Sequence, residues 1–504
     1  MRLEPATPAH IGNPIAGSAT LDEILAHNAG RNGGADALIR PGGSAPQSWR
    51  EVDASVSALA AVFAGWRLGD DAVVGVQLGS SAEAAIACLA LWRAGLTAAM
   101  LPLAWRRREI VSALAPLGAS AVLTWTTGAG APLGEDACEI AAGLDTIRYV
   151  GCFGGGTPDG ATPLDDVLGR ANEGFVREGR PADAADHVAI VTFDAGWTPV
   201  ARTHNELLAA TLMPLAAARL SSQSALVSTL DLAGLAGLAT GLGAWLASCC
   251  VATFHQPTTT RAMADLVREA EASHLVLPGR IASRLAHDGA FDPKTLSAVT
   301  LVWRAPDGRG AQVDLGAAAV TVDATVFGEL GIYAAARSSP VRFAQLPLGP
   351  AGPEGFPPLI ELSIGQDGRL SVRGPACPSA SWRGDLGVSQ IPFDADGFID
   401  TGLSGFGDRA AGRVSLGGRR RGVLQVGGLA LSLPDVDEAY RRSGAGSAPR
   451  AQQDETFGAR LALAARGDGG GPNRDGVASL LEAAGYGPAL APVASEEEPV
   501  RRSA

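Results

Sequence analysis

The stretch that decides the fold, Ile190 to Leu207, reads IVTFDAGWTPVARTHNEL. The apolar run ending at Phe193 predicts a strand, the letters DAGWTP predict a turn, and a helix is expected to begin near Thr203. Strand, glycine-containing loop and helix is the layout that presents backbone N–H groups to a phosphate. As a phosphate loop this one is incomplete. One Gly and two Thr remain in it, Arg202 is the cation nearest the turn, and no Lys is present.

Length and composition predict a globular protein of two or three domains, because 504 residues exceed the size of one ordinary core. Apolar residues make up 46% and charged residues 18% of the chain. The excess of 52 acidic over 40 basic residues argues against a nucleic-acid-binding surface.

The six Cys show no CxxC spacing, which indicates free thiols in a reducing compartment. The first residues lack the apolar segment of a signal peptide, so a cytoplasmic location is predicted.

One uncharged stretch, from Leu232 to Phe254, is long enough to span a membrane. It contains four Gly, and its end, CCVATF, is typical of a strand. A buried helix followed by a strand is the favoured interpretation, with a membrane span as the alternative.

The rest of the chain is organised as alternating strands and helices, followed by short strands. Between Ser48 and Trp125 the apolar pattern switches repeatedly between helical and strand spacing, which predicts a parallel sheet covered by helices. The Gly-rich segment 128–160 is expected to be a surface excursion. From Val341 onward Pro and Gly separate short strands, and LIELSIGQDGRLSVRGP predicts a hairpin with its turn at Gln366-Asp367-Gly368.

Several stretches in this order resemble the adenylate-forming (ANL) superfamily of acyl- and aryl-CoA ligases, peptide-synthetase adenylation domains and luciferases. The resemblance covers about 21–501. Besides the opening stretch it is carried by the N-terminal region around LALWRAG, and by TVFGELG (325–331), GRLSVRGP (368–375), DGFIDTGL (396–403) and GRRRGVLQVGGLALSLPDVDEA (418–439).

The resemblance implies an α/β fold with an acyl-CoA synthetase-like large N-terminal domain over 1–421. That domain would hold helix-flanked sheets and a small β-rich subdomain at about 341–412. A small, mobile α+β C-terminal domain is expected over 422–504. The family activates carboxylates with ATP and Mg²⁺ and passes the acyl group to CoA or to a carrier-protein thiol. A small-molecule carboxylate or acyl group is therefore the expected ligand, with no nucleic-acid partner.

The matching residues of the phosphate loop are Thr192, Gly196 and Thr198. Phe193, Asp194 and Trp197 stand where the family has small hydroxyl residues. An Asp beside phosphates adds repulsion, and aromatic side chains obstruct close approach to the backbone. The loop therefore departs from the family at the point where donors to the phosphates are needed.

The second nucleotide motif keeps Phe327 and Gly328, its aromatic–glycine pair. Leu330 and Gly331 replace the Thr and the metal-binding Glu, and Glu329, two positions early, is the alternative metal ligand. No metal site is predicted, since the His and Cys residues also lack ligand spacing.

The remaining motifs are kept only in part. Thr401 and Gly402 match the ribose motif, but Leu403 replaces its terminal Asp and has no side-chain acceptor. Arg419 keeps the arginine of the hinge, where Gly422 replaces an Asp or Lys. The family's C-terminal Lys is missing: the tail offers Arg501 and Arg502, which do not replace a compact ammonium. The chain's one Lys, Lys294, matches neither family position and is expected at the surface.

Two functions follow from these residues. The favoured one is a non-adenylating or repurposed acyl-binding derivative of the family, a pseudoenzyme with an eroded ATP site. The alternative is an active ATP-dependent ligase that joins a carboxylate to CoA or to a carrier-protein thiol through an acyl adenylate. His204, after Thr203, is expected to be structural rather than catalytic.

Overall fold

The computed structural model of the chain describes residues 4–5, 13, 15–168, 175, 179–304, 315, 320–339, 342–382, 391–419, 422–445, 449–463 and 474–493. Two sets of predicted positions lie outside these residues. They are the hinge arginines Arg420 and Arg421 and the tail arginines Arg501 and Arg502.

The first sheet confirms the predicted alternation of strands and helices. In spatial order its strands are Thr198–Thr203, Val188–Asp194, Thr97–Met100, Val73–Gln77, Ala121–Trp125, Tyr149–Phe153 and Thr162–Pro163. All neighbours are parallel except the edge pair Thr198–Thr203 and Val188–Asp194. The helices in this part are Leu21–Asn32, Trp49–Gly65, Ala82–Arg93, Arg107–Leu114, Leu133–Gly143 and Asp165–Leu168, with 3-10 turns at Ala115–Leu117 and Ala184–Asp186.

Capping residues set where these helices begin. Ser48 Oγ accepts from the Glu51 amide at 3.3 Å, and the Glu51 carboxylate accepts from the Ser48 amide at 2.7 Å. This reciprocal pair satisfies two of the amides left open at a helix start. Trp49, the next residue, stacks on Trp245 with ring centroids 5.0 Å apart. The stacking joins the helices of the first sheet to those of the second.

The expectation of a surface excursion over 128–160 is wrong. Leu133–Gly143 is a helix that buries Ala137 and Ile140, and Tyr149–Phe153 is a strand of the first sheet. The helix is rich in small residues and the strand has only five residues, so their helical and strand spacing was hidden among the glycines of the surrounding turns.

The second sheet lies beside the first and is also mainly parallel. In spatial order its strands are Ile332–Ala336, Val320–Val326, Ala298–Arg304, His274–Pro278, Ala225–Ser228, Val251–Phe254, Asp36–Leu38 and Gln47–Ser48. Its two edge strands are antiparallel to their neighbours. The helices of this part are His204–Ala218, Thr260–Glu269 and Gly279–His287, with a 3-10 turn at Pro293–Thr295.

The uncharged stretch from Leu232 forms a buried helix and then a strand, as favoured from the sequence. The helix runs as Leu235–Gly237, a π-helical segment Leu238–Gly243 and Ala244–Ser248, and the strand is Val251–Phe254. Among the residues that the structure describes, no helix has the length and apolar character to cross a membrane.

The third sheet is antiparallel and contains the predicted hairpin, Ile360–Ile364 with Arg369–Arg373. In spatial order its strands are Leu346–Pro347, Arg413–Arg419, Ile399–Asp408, Arg369–Arg373, Ile360–Ile364 and Gly349–Ala351. A further two-stranded ladder pairs Glu4–Pro5 with Ala380–Ser381.

The C-terminal domain has its own sheet and core, so the predicted fold class is confirmed. The strands are, in spatial order, Leu429–Ser432, Val423–Val426, Gly458–Ala462 and Arg450–Asp454, and the helices are Leu433–Arg442 and Arg474–Ala483, with a 3-10 turn at Pro488–Leu490. Val436, Tyr440, Leu461 and Leu481 form the centre of a separate hydrophobic cluster.

Candidate functional site

The strand–loop–helix order expected around Gly196 is wrong in one respect. Strand Val188–Asp194 returns as strand Thr198–Thr203 after a three-residue turn, Ala195–Trp197. The helix begins only after that second strand, where Thr203 Oγ1 accepts from the Glu206 amide at 3.1 Å. The turn therefore does not open onto a helix N-terminus. The strand TPVART has only six residues, so its alternation of apolar and polar residues could not be distinguished from a loop in the sequence.

The turn uses its own polar groups to hold its shape. Asp194 Oδ1 accepts from the Ala195 amide at 2.8 Å, and Thr198 Oγ1 donates to the Ala195 carbonyl at 3.0 Å. Gly196 has a φ of 68° and Trp197 a φ of 55°, so both lie in the left-handed region. This conformation suits Gly and is uncommon for Trp. Gly196 and Thr198, two of the residues predicted to lie at a phosphate, are thus part of a tight, self-bonded turn.

The aromatic residues of the loop pack against both domains. Phe193 lies against Trp105 with ring centroids 5.5 Å apart, and Trp197 packs on the same hydrophobic cluster as Leu429 of the C-terminal domain. A Cβ added to Gly196 would lie 3.4 Å from Asp435 Oδ2 and 3.9 Å from the Ser432 Cβ. The C-terminal domain therefore covers the outer side of the turn.

The turn Phe327–Glu329 meets the loop from the other side. Phe327 is fully buried, and Gly328 has a φ of 60°. A Cβ on Gly328 would lie 2.5 Å from Asp194 Oδ2, so any side chain at this position would displace the carboxylate. The Glu329 amide lies 3.4 Å from the same oxygen.

Both carboxylate oxygens of Glu329 are engaged within the protein. Oε2 accepts from the Leu235 amide at 2.6 Å, and Oε1 accepts from Arg304 Nη1 at 2.9 Å. The Glu329 side chain is 4% exposed and that of Arg304 is 20% exposed. Sequence reasoning named Glu329 as an alternative metal ligand but did not find Arg304 or Leu235, because neither lies near it in the chain.

Arg202 lies at the centre of this region. It is 1% exposed, and its Nη2 donates to the main-chain carbonyl of Glu329. Its Nε and Nη1, and the hydroxyl of Thr192, have no hydrogen-bond partner among the described residues. Burial lowers the pKa of Arg202, and the nearby carboxylates of Glu329, Glu206 and Asp194 oppose that shift.

The sequence carried a signal for the position of Arg202. Thr192 pairs with Val200 and Ile190 with Arg202 across the antiparallel strands. Residues two apart on a strand share a face, so Arg202 points to the same buried face as Ile190 and Val200. Recognising the second strand would have predicted a buried arginine there.

Glu206 has a structural role beside Arg202. Its Oε2 accepts from the Thr203 amide at 3.0 Å and its Oε1 from the Ser379 amide at 2.9 Å. Burial raises the pKa of Glu206.

The residues of the ribose motif and hinge gather on the third sheet. Thr401 Oγ1 donates to the Leu370 carbonyl at 2.7 Å, and the Gly402 amide donates to Asp400 Oδ1 at 2.9 Å. Leu403 is buried and pairs in register with Arg419, whose Nη2 donates to Gln425 Oε1 at 2.7 Å. The predicted residues thus lie in two groups. The first contains the loop residues with Phe327, Gly328 and Glu329, and the second contains Thr401, Gly402 and Arg419.

His and Lys residues take structural or surface positions. His204 Nδ1 accepts from the Leu21 amide at 3.2 Å, and its ring packs edge-on against Trp92. Lys294 is exposed in a 3-10 turn. Within the described part of the chain, no group of three or more His, Cys, Asp or Glu side chains is placed to hold a metal ion.

The loop and the Glu329 turn both lie within the part of the chain that matches a protein-family model. The model described as "AMP-binding enzyme" matches residues 25–331, which is more than half of the chain. The chain belongs to the AMP-binding enzyme family. No curated protein shows a significant sequence match to it.

Several solved structures share this fold over nearly the whole chain. MbtA of Mycobacterium smegmatis superposes with a TM-score of 0.68 at 21% identity, covering 95% of this chain and 91% of that one. The amide bond synthetase McbA of Marinactinospora thermotolerans gives 0.72 at 17% identity, with 94% and 95% covered. The o-succinylbenzoate CoA synthetase MenE of Bacillus subtilis gives 0.70 at 16% identity, with 94% of each chain covered.

These comparisons confirm the resemblance inferred from the motifs. The AMP-binding family match includes the strand pair Val188–Asp194 and Thr198–Thr203 and ends at Gly331, just after Glu329. The third sheet and the C-terminal domain lie beyond that match and are covered by the structural neighbours. At these identities the neighbours establish the fold and leave the ligand open.

Proposed function

We propose that this AMP-binding family member binds a small carboxylate or acyl group without forming an acyl adenylate from ATP. The observation that carries the proposal is the engagement of Glu329. Its two oxygens are held by the Leu235 amide and by Arg304 Nη1. Mg²⁺ prefers oxygen ligands in octahedral geometry, and this carboxylate would have to break an ion pair to supply one. The residues of this turn therefore do not fit a Mg-ATP site.

The loop gives a second line of support. A triphosphate with about four negative charges needs many donors around it. Here the Ala195 amide is bonded to Asp194, and the Thr198 hydroxyl is bonded to the Ala195 carbonyl. Asp194 itself would repel phosphate. Arg202 is the one cation on the strand pair Val188–Asp194 and Thr198–Thr203. It is buried against Glu329 rather than directed toward the turn.

Calorimetric titration of the purified full-length protein with Mg-ATP tests the proposal directly. We expect no saturable heat up to millimolar ATP and no acid-dependent exchange of pyrophosphate into ATP, with acetate, octanoate and benzoate as probes. The same carboxylates and their CoA thioesters, titrated without ATP, test the binding role. Saturable Mg-ATP binding with carboxylate-dependent exchange would contradict the proposal.

The alternative is an active ligase that transfers the acyl group to CoA or to a carrier-protein thiol. One observation favours it: the chain keeps both family domains, with Ser432 and Asp435 of the small domain against the turn. Pyrophosphate exchange separates the two functions, since only a ligase makes the acyl adenylate. A cytoplasmic location remains a prediction from the sequence under either function.

A further inference from the structure

The turn Ala195–Trp197 holds a tryptophan in a backbone conformation that is unfavourable for it. Trp197 has a φ of 55° and follows Gly196, whose φ is 68°. In tight hairpin turns, Gly, Asn and Asp dominate the positions with positive φ, because a Cβ is unfavourable there. Other residues keep this conformation only where the surrounding structure holds them in it. A contact of the Trp197 side chain must therefore offset the strain.

The Trp197 side chain lies where the large domain and the C-terminal domain meet. It packs on a hydrophobic cluster of the large domain that includes Trp105 and Trp382, and Leu429 of the C-terminal domain packs on the same cluster. The strand Leu429–Ser432 lies against the turn. The C-terminal domain has a separate core of its own, so Leu429 buries apolar surface between the domains. Trp197 is thus an aromatic residue at the domain boundary.

A second contact joins the C-terminal domain to the helix Arg107–Leu114. The Arg108 amide donates to the Gly485 carbonyl at 2.9 Å, and the Gly487 amide donates to Glu109 Oε1 at 2.8 Å. Arg108 is the second residue of its helix, so its amide has no acceptor within that helix. Both bonds break when the C-terminal domain leaves. The two amides therefore report docking without belonging to the turn.

The charges at the turn oppose an anionic ligand while the domain is docked. A Cβ added to Gly196 would lie 3.4 Å from Asp435 Oδ2 of the C-terminal domain. The carboxylate of Asp194 accepts from the Ala195 amide in the same turn. A phosphate that reached Gly196 in the docked state would meet both carboxylates, and like charges at short range repel.

We propose that the turn Ala195–Trp197 is a docking surface for the chain's own C-terminal domain, with Trp197 as its apolar anchor, and that docking closes the turn to ligands. The aromatic side chain that obstructs a phosphate supplies the apolar surface that a docked domain buries. Aromatic anchors carry a large share of the binding energy at interfaces. Loss of Trp197 should therefore release the C-terminal domain while both domains stay folded.

This docking requires neither ATP nor a carboxylate. Mg-ATP binding with carboxylate-dependent pyrophosphate exchange would contradict the proposed function and leave the docking surface untouched. Conversely, a C-terminal domain that docks without Trp197 would remove the docking surface and leave the proposed function as it stands. The two are therefore measured separately.

Hydrogen exchange of the full-length protein, read by mass spectrometry, tests the docking surface. Trp197→Gly removes the anchor and relieves the backbone strain, so the turn itself should stay formed. We expect exchange protection in the peptides that contain the Arg108 and Gly487 amides to fall about tenfold or more, as for the loss of an interface anchor. Trp197→Phe keeps an apolar ring and should keep most of the protection.

Arg67→Gly is the matched control. Arg67 is exposed and has a φ of 52°, so this variant relieves the same strain away from the domain contact and should exchange like the wild type. The Val493 amide donates to the Leu461 carbonyl at 2.8 Å inside the C-terminal domain and reports whether that domain stays folded.

Four results would each overturn the docking surface. The first is wild-type protection of Arg108 and Gly487 in Trp197→Gly, and the second is an equal loss of protection in Arg67→Gly. The third is unprotected exchange of these two amides in the wild type, which would mean that the domain is not docked. The fourth is loss of protection at Val493 in Trp197→Gly, because the domain would then be unfolding rather than undocking.

Discussion

Arg202 donates from Nη2 to the main-chain carbonyl of Glu329, which joins the edge strand of the first sheet to a turn of the second. The guanidinium is buried, and two of its nitrogens have no partner among the described residues. Unpaired buried donors cost free energy, so this contact is not explained by stability alone. It instead places a cation of the chain among the carboxylates of Asp194, Glu206 and Glu329.

Replacing Arg202 by Met should cost about 3–5 kcal/mol of unfolding free energy. Met fills a similar volume, but removing the cation alone leaves the buried carboxylates of Glu206 and Glu329 without its compensating charge. Arg202→Ala should cost more, because it also leaves a cavity. Urea unfolding measures both. A loss of less than about 1 kcal/mol in Arg202→Met would show that the carboxylates do not need the charge.

Replacing Arg304 by Met should destabilise the protein by about 2–4 kcal/mol, since it leaves the buried Glu329 carboxylate without its ion-pair partner. The value allows for the partial exposure of Arg304, which weakens the pair. Adding Glu329→Gln should recover most of the loss. Arg369→Met, which breaks the exposed pair with Asp367, is the control and should have no measurable effect. Thermal and urea unfolding report the changes, and a loss no larger than the control would contradict the argument.

Replacing Gly328 by Ala should cost about 2–4 kcal/mol of unfolding free energy, because it adds a clash with Asp194 to the strain of a positive φ. Gly155→Ala is matched for backbone strain, since Gly155 has a φ of 66° and its Cβ would meet nothing within 4 Å. We expect the control to lose about 1 kcal/mol. The double variant with Asp194→Ala should relieve the clash and leave the strain. If Gly328→Ala behaves like Gly155→Ala, the carboxylate does not lie over Gly328.

His204 should make the protein less stable in acid. Burial lowers the pKa of His204 to about 3, far below the ordinary value of 6.5. Between these values the unfolded chain binds a proton at this residue and the folded chain does not, so the free energy of unfolding falls as the pH is lowered.

The slope from this single group is about 1.4 kcal/mol per pH unit. His204→Asn keeps an acceptor for the Leu21 amide and should lose this slope in urea unfolding between pH 6 and pH 4. His287→Asn, at an exposed residue, should keep it. An unchanged slope in His204→Asn would mean that His204 is protonated in the folded protein.

The residues at which helices begin were the part of the fold that the sequence predicted best. Ser48 and Thr203 carry their cap partners three residues onward, Glu51 and Glu206, so the signal is local. The strand Thr198–Thr203 and the elements between 128 and 160 were missed for a related reason. Their residues are few or small, and their spacing becomes visible only once neighbouring strands are in place.

The sequence by itself determined the family and most of the order of the strands and helices, and it predicted which residues depart from the family's nucleotide motifs. These properties depend on side-chain identity and on spacing along the chain. Only the tertiary structure decided that Glu329 is held by Arg304 and Leu235, that Asp194 lies over Gly328, and that Gly487 meets Glu109. Each of these contacts joins residues that lie on different elements of the fold. Their energies depend on burial and distance, which appear only when the sheets and domains have packed.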